Sequence, residues 1–126
     1  MSESTDSAKS ELLVILDKAL YESPTPDEIA EKMQISKNEI YSLLQMLIKE
    51  NQVIQVNNVY YLHKNNWDNL LKFLQSHFET NKDIEVSKLK DFVKTTRKFA
   101  IPLFEFLDSQ DITRRVGNTR EKGNSL

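Results

Sequence analysis

The chain has 126 residues, 39% of them apolar, and a formal net charge of −2, which suffices to bury a core in one ordinary domain or two very small ones and argues against a general nucleic-acid binder. It has no cysteine, which excludes a disulfide framework and a thiolate zinc site, and no apolar run approaches the roughly 20 residues of a membrane span. The charge is segregated: residues 1–66 hold six basic against ten acidic residues (net −4), residues 67–126 eleven against nine (net +2), and the stretch from Val86 onward nine against five (net +4), a reason to look for an anionic partner at that end.

In chain order, MSESTDSAKS is polar and reads as a disordered leader over residues 1–9. From Ser10 to about Tyr21, Leu12, Leu13, Ile15, Leu16 and Leu20 fall at helical spacing, and Ser23-Pro-Thr-Pro stops that helix. Thr25 can cap a second helix opening on Pro26, with Ile29 and Met33 on its buried stripe. Ser36 caps a third helix running to about Asn51, with Glu39 completing a capping box and Ile40, Leu43, Leu44, Leu47 and Ile48 as its apolar face. Val53–Val56, Asn57-Asn58 and Val59–Leu62 read as a hairpin whose asparagines accept the positive φ of a tight turn. Three helices and a hairpin make a winged helix-turn-helix.

The order then repeats. An amphipathic helix is expected over Asn66 to about Thr80, a short extended piece at Ile84–Val86, a helix capped by Ser87, and a helix starting at Thr95 or Thr96. At a fixed offset of 60, Ile29 pairs with Leu89, Met33 with Val93, Ile40 with Ala100, Leu43 with Leu103, Leu44 with Phe104 and Leu47 with Leu107. Apolar meets apolar at each, so the fold class is mostly α with small β-hairpins (α+β), as two tandem winged helix-turn-helix modules over 10–64 and 65–126. Tyr60, Tyr61 and Trp67 suit packing between the modules better than stacking on bases.

Signals for catalysis are thin. His63 and His77 lie on different elements with no metal spacing, His77 reading as a cap on the solvent edge of the fourth helix, and the two glycines, Gly117 and Gly123, form no phosphate loop. Asp27, Glu28 and Glu31 complement a helix dipole rather than form a carboxylate pair. No enzyme, metal or cofactor is expected.

What remains is a basic cluster holding all four arginines. Thr95, Thr96, Arg97 and Lys98 occupy the first turn of the sixth helix, the turn that meets nucleic acid in a helix-turn-helix, where the first module has Ser36, Lys37, Asn38 and Glu39. The second wing adds Arg114, Arg115, Asn118 and Arg120. Arginine grips phosphate through a planar fork or stacks on an unpaired base. If Ile112, Arg114 and Val116 share a strand face, Arg114 either lays its stem over the core and pairs with Glu105 or Asp108, or faces the ligand; Arg115, on the other face, is the better contact. Pro102 removes one helix hydrogen bond, and either aims the first turn outward or only relieves packing.

The stretch from Thr96 to Asp108, TRKFAIPLFEFLD, followed by ITRRVGN at 112–118, resembles the C-terminal end of the bacterial selenocysteine-specific elongation factor family, SelB. The resemblance covers nearly the whole chain, though the specific motifs lie in the second module. It implies a string of winged helices of which the last grips the selenocysteine insertion hairpin of messenger RNA, with the ribosome and selenocysteyl-tRNA as partners through the full-length factor. The family tends to continue the wing with an apolar return strand; here the sequence reads Arg120-Glu-Lys-Gly-Asn-Ser-Leu126, so a short or frayed strand is expected.

On this reading Arg97, Lys98 and Arg115, assisted by Arg120, clamp RNA phosphates, the Thr95 and Thr96 hydroxyls add hydrogen bonds, and the first module is a spacer in a cytoplasmic monomer. The alternatives are a DNA-binding transcription regulator using the same helix and a protein-interaction module using the acidic first half.

Overall fold

The computed structural model describes residues 3–126, and the chain divides after Trp67 into two compact units. The first contains α1 (Glu3–Ala19), α2 (Pro26–Met33), α3 (Lys37–Lys49), β1 (Val53–Gln55) and β2 (Tyr61–His63). α4 (Lys64–Thr80) begins there and continues into the second unit, which adds β3 (Asp83–Glu85), α5 (Val86–Val93), α6 (Arg97–Ser109), β4 (Thr113–Val116) and β5 (Thr119–Lys122).

The leader is largely helical. α1 starts at Glu3, its Ala8 packs on the core, and Lys9 is buried against Glu50, Nζ to Oε2 2.6 Å. A polar stretch with few helix breakers joins a helix when tertiary contacts hold it; Met1 and Ser2 lie outside the described residues. Leu12 and Leu16 of α1 pack with Ile29 and Ala30 of α2 and with Ile40, Leu43, Leu44 and Leu47 of α3, closed by Val53 and Tyr61. Thr25 and Ser36 both cap as expected, Ser36 Oγ accepting from the Glu39 amide at 3.1 Å, but the reciprocal capping box is made by Thr25 and Glu28 and not by Ser36 and Glu39. α1 ends at Ala19, short of Tyr21, where Leu20 turns left-handed with φ 55°. The Asn66 amide donates to the carbonyls of Leu16, Asp17 and Leu20 at 3.4, 3.1 and 3.3 Å, satisfying the end of that helix from a distant segment. Tyr60 and Tyr61 are core residues of this unit, unavailable to bases; the Tyr60 hydroxyl donates to the Tyr21 carbonyl and the Tyr21 hydroxyl to the Asn66 carbonyl.

The first hairpin is shorter than expected, pairing only Val53–Gln55 with Tyr61–His63. Neither Asn57 nor Asn58 takes a positive φ; instead Asn57 Oδ1 accepts from the Val59 amide at 2.9 Å, a side-chain turn that lengthens the loop and excludes Val56 and Val59 from the ladder.

In the second unit Leu70, Leu74, Ile84, Leu89, Val93, Ala100, Leu103, Phe104, Leu107 and Ile112 are buried. The offset of 60 extends to the backbone: α2 and α5 match residue for residue, as do α3 and α6, and the left-handed residues Gln34 and Lys94, then Asn51 and Asp111, repeat with it. Two expectations fail. Ser87 lies inside α5, whose N-cap is Glu85, because β3 runs directly into the helix. The return strand is neither short nor frayed: β5 is the central strand of the sheet β3-β5-β4, antiparallel to both neighbours.

Candidate nucleic-acid interface

α5 ends at Val93, Lys94 turns left-handed (φ 50°, ψ 48°), and Thr96 in extended conformation (φ −82°, ψ 169°) is the N-cap of α6. This geometry turns the Thr95 hydroxyl inward, where it is buried without a hydrogen-bond partner, so the expected Thr95 contact with a ligand is corrected: that oxygen faces the interior. Thr96 is exposed and makes no side-chain cap bond, and the first turn of α6 has no acid. Arg97 and Lys98 therefore stand exposed at a helix start whose leading amides lack acceptors and whose dipole repels cations. Such an end attracts anions.

The first unit shows what neutralisation looks like at the same place. Lys37, the counterpart of Arg97 at the offset of 60, pairs with Asp27 at 3.0 Å, a hydrogen bond and charge that push the Lys37 ammonium up from its ordinary pKa, and Glu39 adds an acid to that turn. Among the described residues Arg97 and Arg115 are in no ion pair. Lys98 lies with Nζ 5.4 Å from the ring centre of Phe99, which holds the stem without consuming the charge.

β4 and β5 join through Gly117 and Asn118, with Gly117 at φ 60°, the backbone a two-residue hairpin turn requires at its first corner. Asn118 is exposed at the tip. The strand phase differs from expectation. Ile112 precedes the strand, and buried Thr113, not Ile112, sets the core face. Arg115 therefore shares the core-side face yet is exposed beyond the core, while Arg114 and Val116 lie on the outer face. Arg114 pairs with neither Glu105 nor Asp108; its Nη2 is 3.8 Å from Asp111 Oδ1, both side chains well exposed, a contact of small energy.

Arg120 is the largest correction. In the centre of the sheet it faces inward, paired across the strands with Ile84 and Arg115. Its Nε and Nη2 donate to Asp108 Oδ1 and Oδ2 at 3.3 and 3.1 Å, and its guanidinium carbon is 5.8 Å from the ring centre of Phe104. Asp108 also accepts from the Thr113 hydroxyl at 2.6 Å. With side-chain exposures of 8% for Arg120 and 24% for Asp108, this arginine is a strand anchor: a charge buried at the centre of the sheet needs a partner, and Asp108 supplies it. Asp108 is a positioning residue whose partner the sequence misassigns: it holds Arg120, not Arg114. An acid in the last turn of a helix opposes the dipole, and that is the available signal.

Of the expected contacts, Thr96, Arg97 and Lys98 on α6 are exposed, as are Arg114, Arg115 and Asn118 on the wing. Among the described residues no group of three or more His, Asp or Glu suits a metal ion, and no helix is long and apolar enough to cross a membrane. His77 Nε2 is 2.7 Å from the Asp83 carbonyl, tying α4 to β3.

Residues 76–121 match the sequence model of the winged helix of elongation factor SelB. A selenocysteine-specific elongation factor of Desulfomicrobium baculatum is 31% identical over 98 residues, which make up 78% of this chain and 16% of that protein. Among solved structures, the mRNA-binding domain of elongation factor SelB from E. coli, determined in complex with SECIS RNA, superposes with a TM-score of 0.79 over 98% of this chain and 100% of its own, at 14% identity, a likeness of fold. A bacterial selenocysteine-specific elongation factor, EF-Sec, gives 0.68 at 25% identity over 98% of this chain and 20% of its own. The chain therefore spans only about a sixth of the curated relative it matches.

Proposed function

Because this chain belongs to the winged-helix family of the selenocysteine-specific elongation factor SelB, we propose that it is the RNA-binding part of such a factor, recognising the selenocysteine insertion hairpin of messenger RNA through its second unit. The single observation that carries the reading is the unneutralised basic start of α6, where Arg97 and Lys98 are exposed and Arg97 is without an ion pair while the equivalent Lys37 is paired with Asp27. Arg97, Lys98 and Arg115 grip phosphates, Thr96 and the first amides of α6 add hydrogen bonds, and Arg114 and Asn118 line the wing side. Arg120 acts indirectly, by fixing β5. The A-form major groove is too deep and narrow for a helix, so recognition rests on backbone shape and on an unpaired loop or bulge base received against an arginine plane. The E. coli relative, solved in complex with SECIS RNA, supports RNA over duplex DNA. The chain binds rather than catalyses; GTP hydrolysis, selenocysteyl-tRNA carriage and ribosome contact belong to the whole factor, in the cytoplasm.

The test is a titration of an insertion-type RNA hairpin against the DNA hairpin of the same sequence across a salt series. RNA preference is expected, with a log-log salt slope of several units, each phosphate contributing somewhat under one. Arg97→Ala and Arg115→Ala should each weaken the complex by about 1–3 kcal/mol. Equal affinity for the two hairpins, or undiminished binding by both variants, refutes the assignment.

A further inference from the structure

α4 and α5 carry a second concavity in the same unit, apart from the first turn of α6 and the wing. A groove of about 730 Å³ runs along them, and no carboxylate side chain lines it. Phe73 of α4 and Phe92 of α5 stack there, ring centres 4.2 Å apart and planes within 18°, both only partly buried. Lys72 and Lys88, one on each helix, are exposed on its walls, and the amide of Asn69 and the hydroxyl of Ser76 supply neutral hydrogen-bonding groups. Each ring leaves part of its surface open to solvent, and the pair forms the apolar part of a groove whose charged lining is cationic. Cations that hold a phosphate chain, together with an aromatic face that takes a base, are the composition of single-strand binding surfaces. An acidic peptide would answer the lysines but carries no flat ring to set against the aromatic pair, as a base does.

We propose that this groove is a second RNA site, taking an unpaired strand with a base against the Phe73–Phe92 stack and the flanking phosphates at Lys72 and Lys88. The inference deepens the reading of this unit as RNA-binding and rests on it, but it uses different residues, so the two separate experimentally.

The probe is a fluorescent oligouridylate of about eight nucleotides, titrated beside the RNA hairpin at low salt against the full chain. The Lys72→Gln/Lys88→Gln double variant and Phe92→Leu should each lose about fivefold or more in oligouridylate affinity while keeping hairpin affinity; Arg97→Ala and Arg115→Ala should do the reverse. Circular dichroism checks that each variant is folded, and the lysine variant, altering only exposed side chains, remains decisive if Phe92→Leu unfolds. Oligouridylate binding that is absent in the wild type, unchanged in the lysine variant, or lost equally in Arg97→Ala overturns the proposal. So does a poly-glutamate peptide binding the wild-type groove more tightly than oligouridylate. Hairpin binding that survives Arg97→Ala and Arg115→Ala strikes the earlier reading alone.

Discussion

Replacing Asp108 by alanine should do more damage than its partly exposed position suggests. Its carboxylate receives three hydrogen bonds, two from Arg120 and one from Thr113, whose side chains are almost wholly buried. Removal leaves a guanidinium at 8% exposure and a hydroxyl without acceptors. Breaking a buried pair by deleting one partner costs about 3–5 kcal/mol, and because Asp108 retains 24% exposure the lower end, about 3 kcal/mol, is expected. For a unit of roughly this size each kcal/mol moves the midpoint by about 4–8 °C, so a fall of roughly 12–24 °C should appear in thermal unfolding followed by circular dichroism. Adding Arg120→Met removes the stranded charge, and the double variant should recover all but about 1 kcal/mol, the remainder belonging to the Thr113 hydroxyl. A loss under about 1 kcal/mol for Asp108→Ala, or a double variant no better than the single, would refute the anchor. Hairpin affinity measured at a temperature where the variant is folded should still fall, because β5 no longer fixes the strand that carries Arg115.

Gly123→Ala places a Cβ 2.0 Å from the Asp111 carbonyl oxygen, so a loss of about 1–3 kcal/mol is expected in urea unfolding; an unchanged midpoint would deny the close approach. Thr95→Val replaces a buried hydroxyl that lacks a partner with a methyl of the same shape, and should leave hairpin affinity unchanged while stabilising the unit by up to about 1 kcal/mol; a large drop in affinity would restore Thr95 as a contact. Burial pushes the Tyr21 hydroxyl up to about 12 and, as the largest cause, raises Tyr60 too, against about 10 in an unfolded chain. The fold thus favours the protonated phenols: stability is complete below pH 10 and declines as pH rises from there through about 12. Absorbance titration should find these tyrosines ionising only as the first unit unfolds, and all four tyrosines titrating near 10 in folded protein would contradict it.

Helix positions are legible because Leu43, Leu44 and Leu47, with Leu103, Phe104 and Leu107, repeat at a helical period that survives any change of surface. Helix caps are legible where a side chain does the capping, as at Thr25 and Ser36, and illegible at Glu85, where the strand backbone supplies the geometry. The basic start of α6 can be read as a departure from the first copy. The wing cannot, since strand phase shifts by one residue when Ile112 falls outside the ladder, inverting which arginine faces where. Arg120 misleads for a related reason: a lone charge in a short strand looks like surface until its partner, twelve residues earlier on another element, is brought to it. The polar start of α1 misleads because its order comes from contacts with Glu50 and the core rather than from its own composition.

The central place of β5 also fixes how the second unit responds to tension. Asp83, at the start of β3, lies opposite Glu121, near the end of β5, so a pull transmitted along α4 and resisted beyond Gly123 loads the ladder at one edge. The bonds from the Gly123 and Ser125 amides to Ile112 and Asp111 should give way first, and the strand pair should then peel register by register instead of resisting in shear. A unit built this way yields gradually under a modest load, and the wing loosens before α6 does.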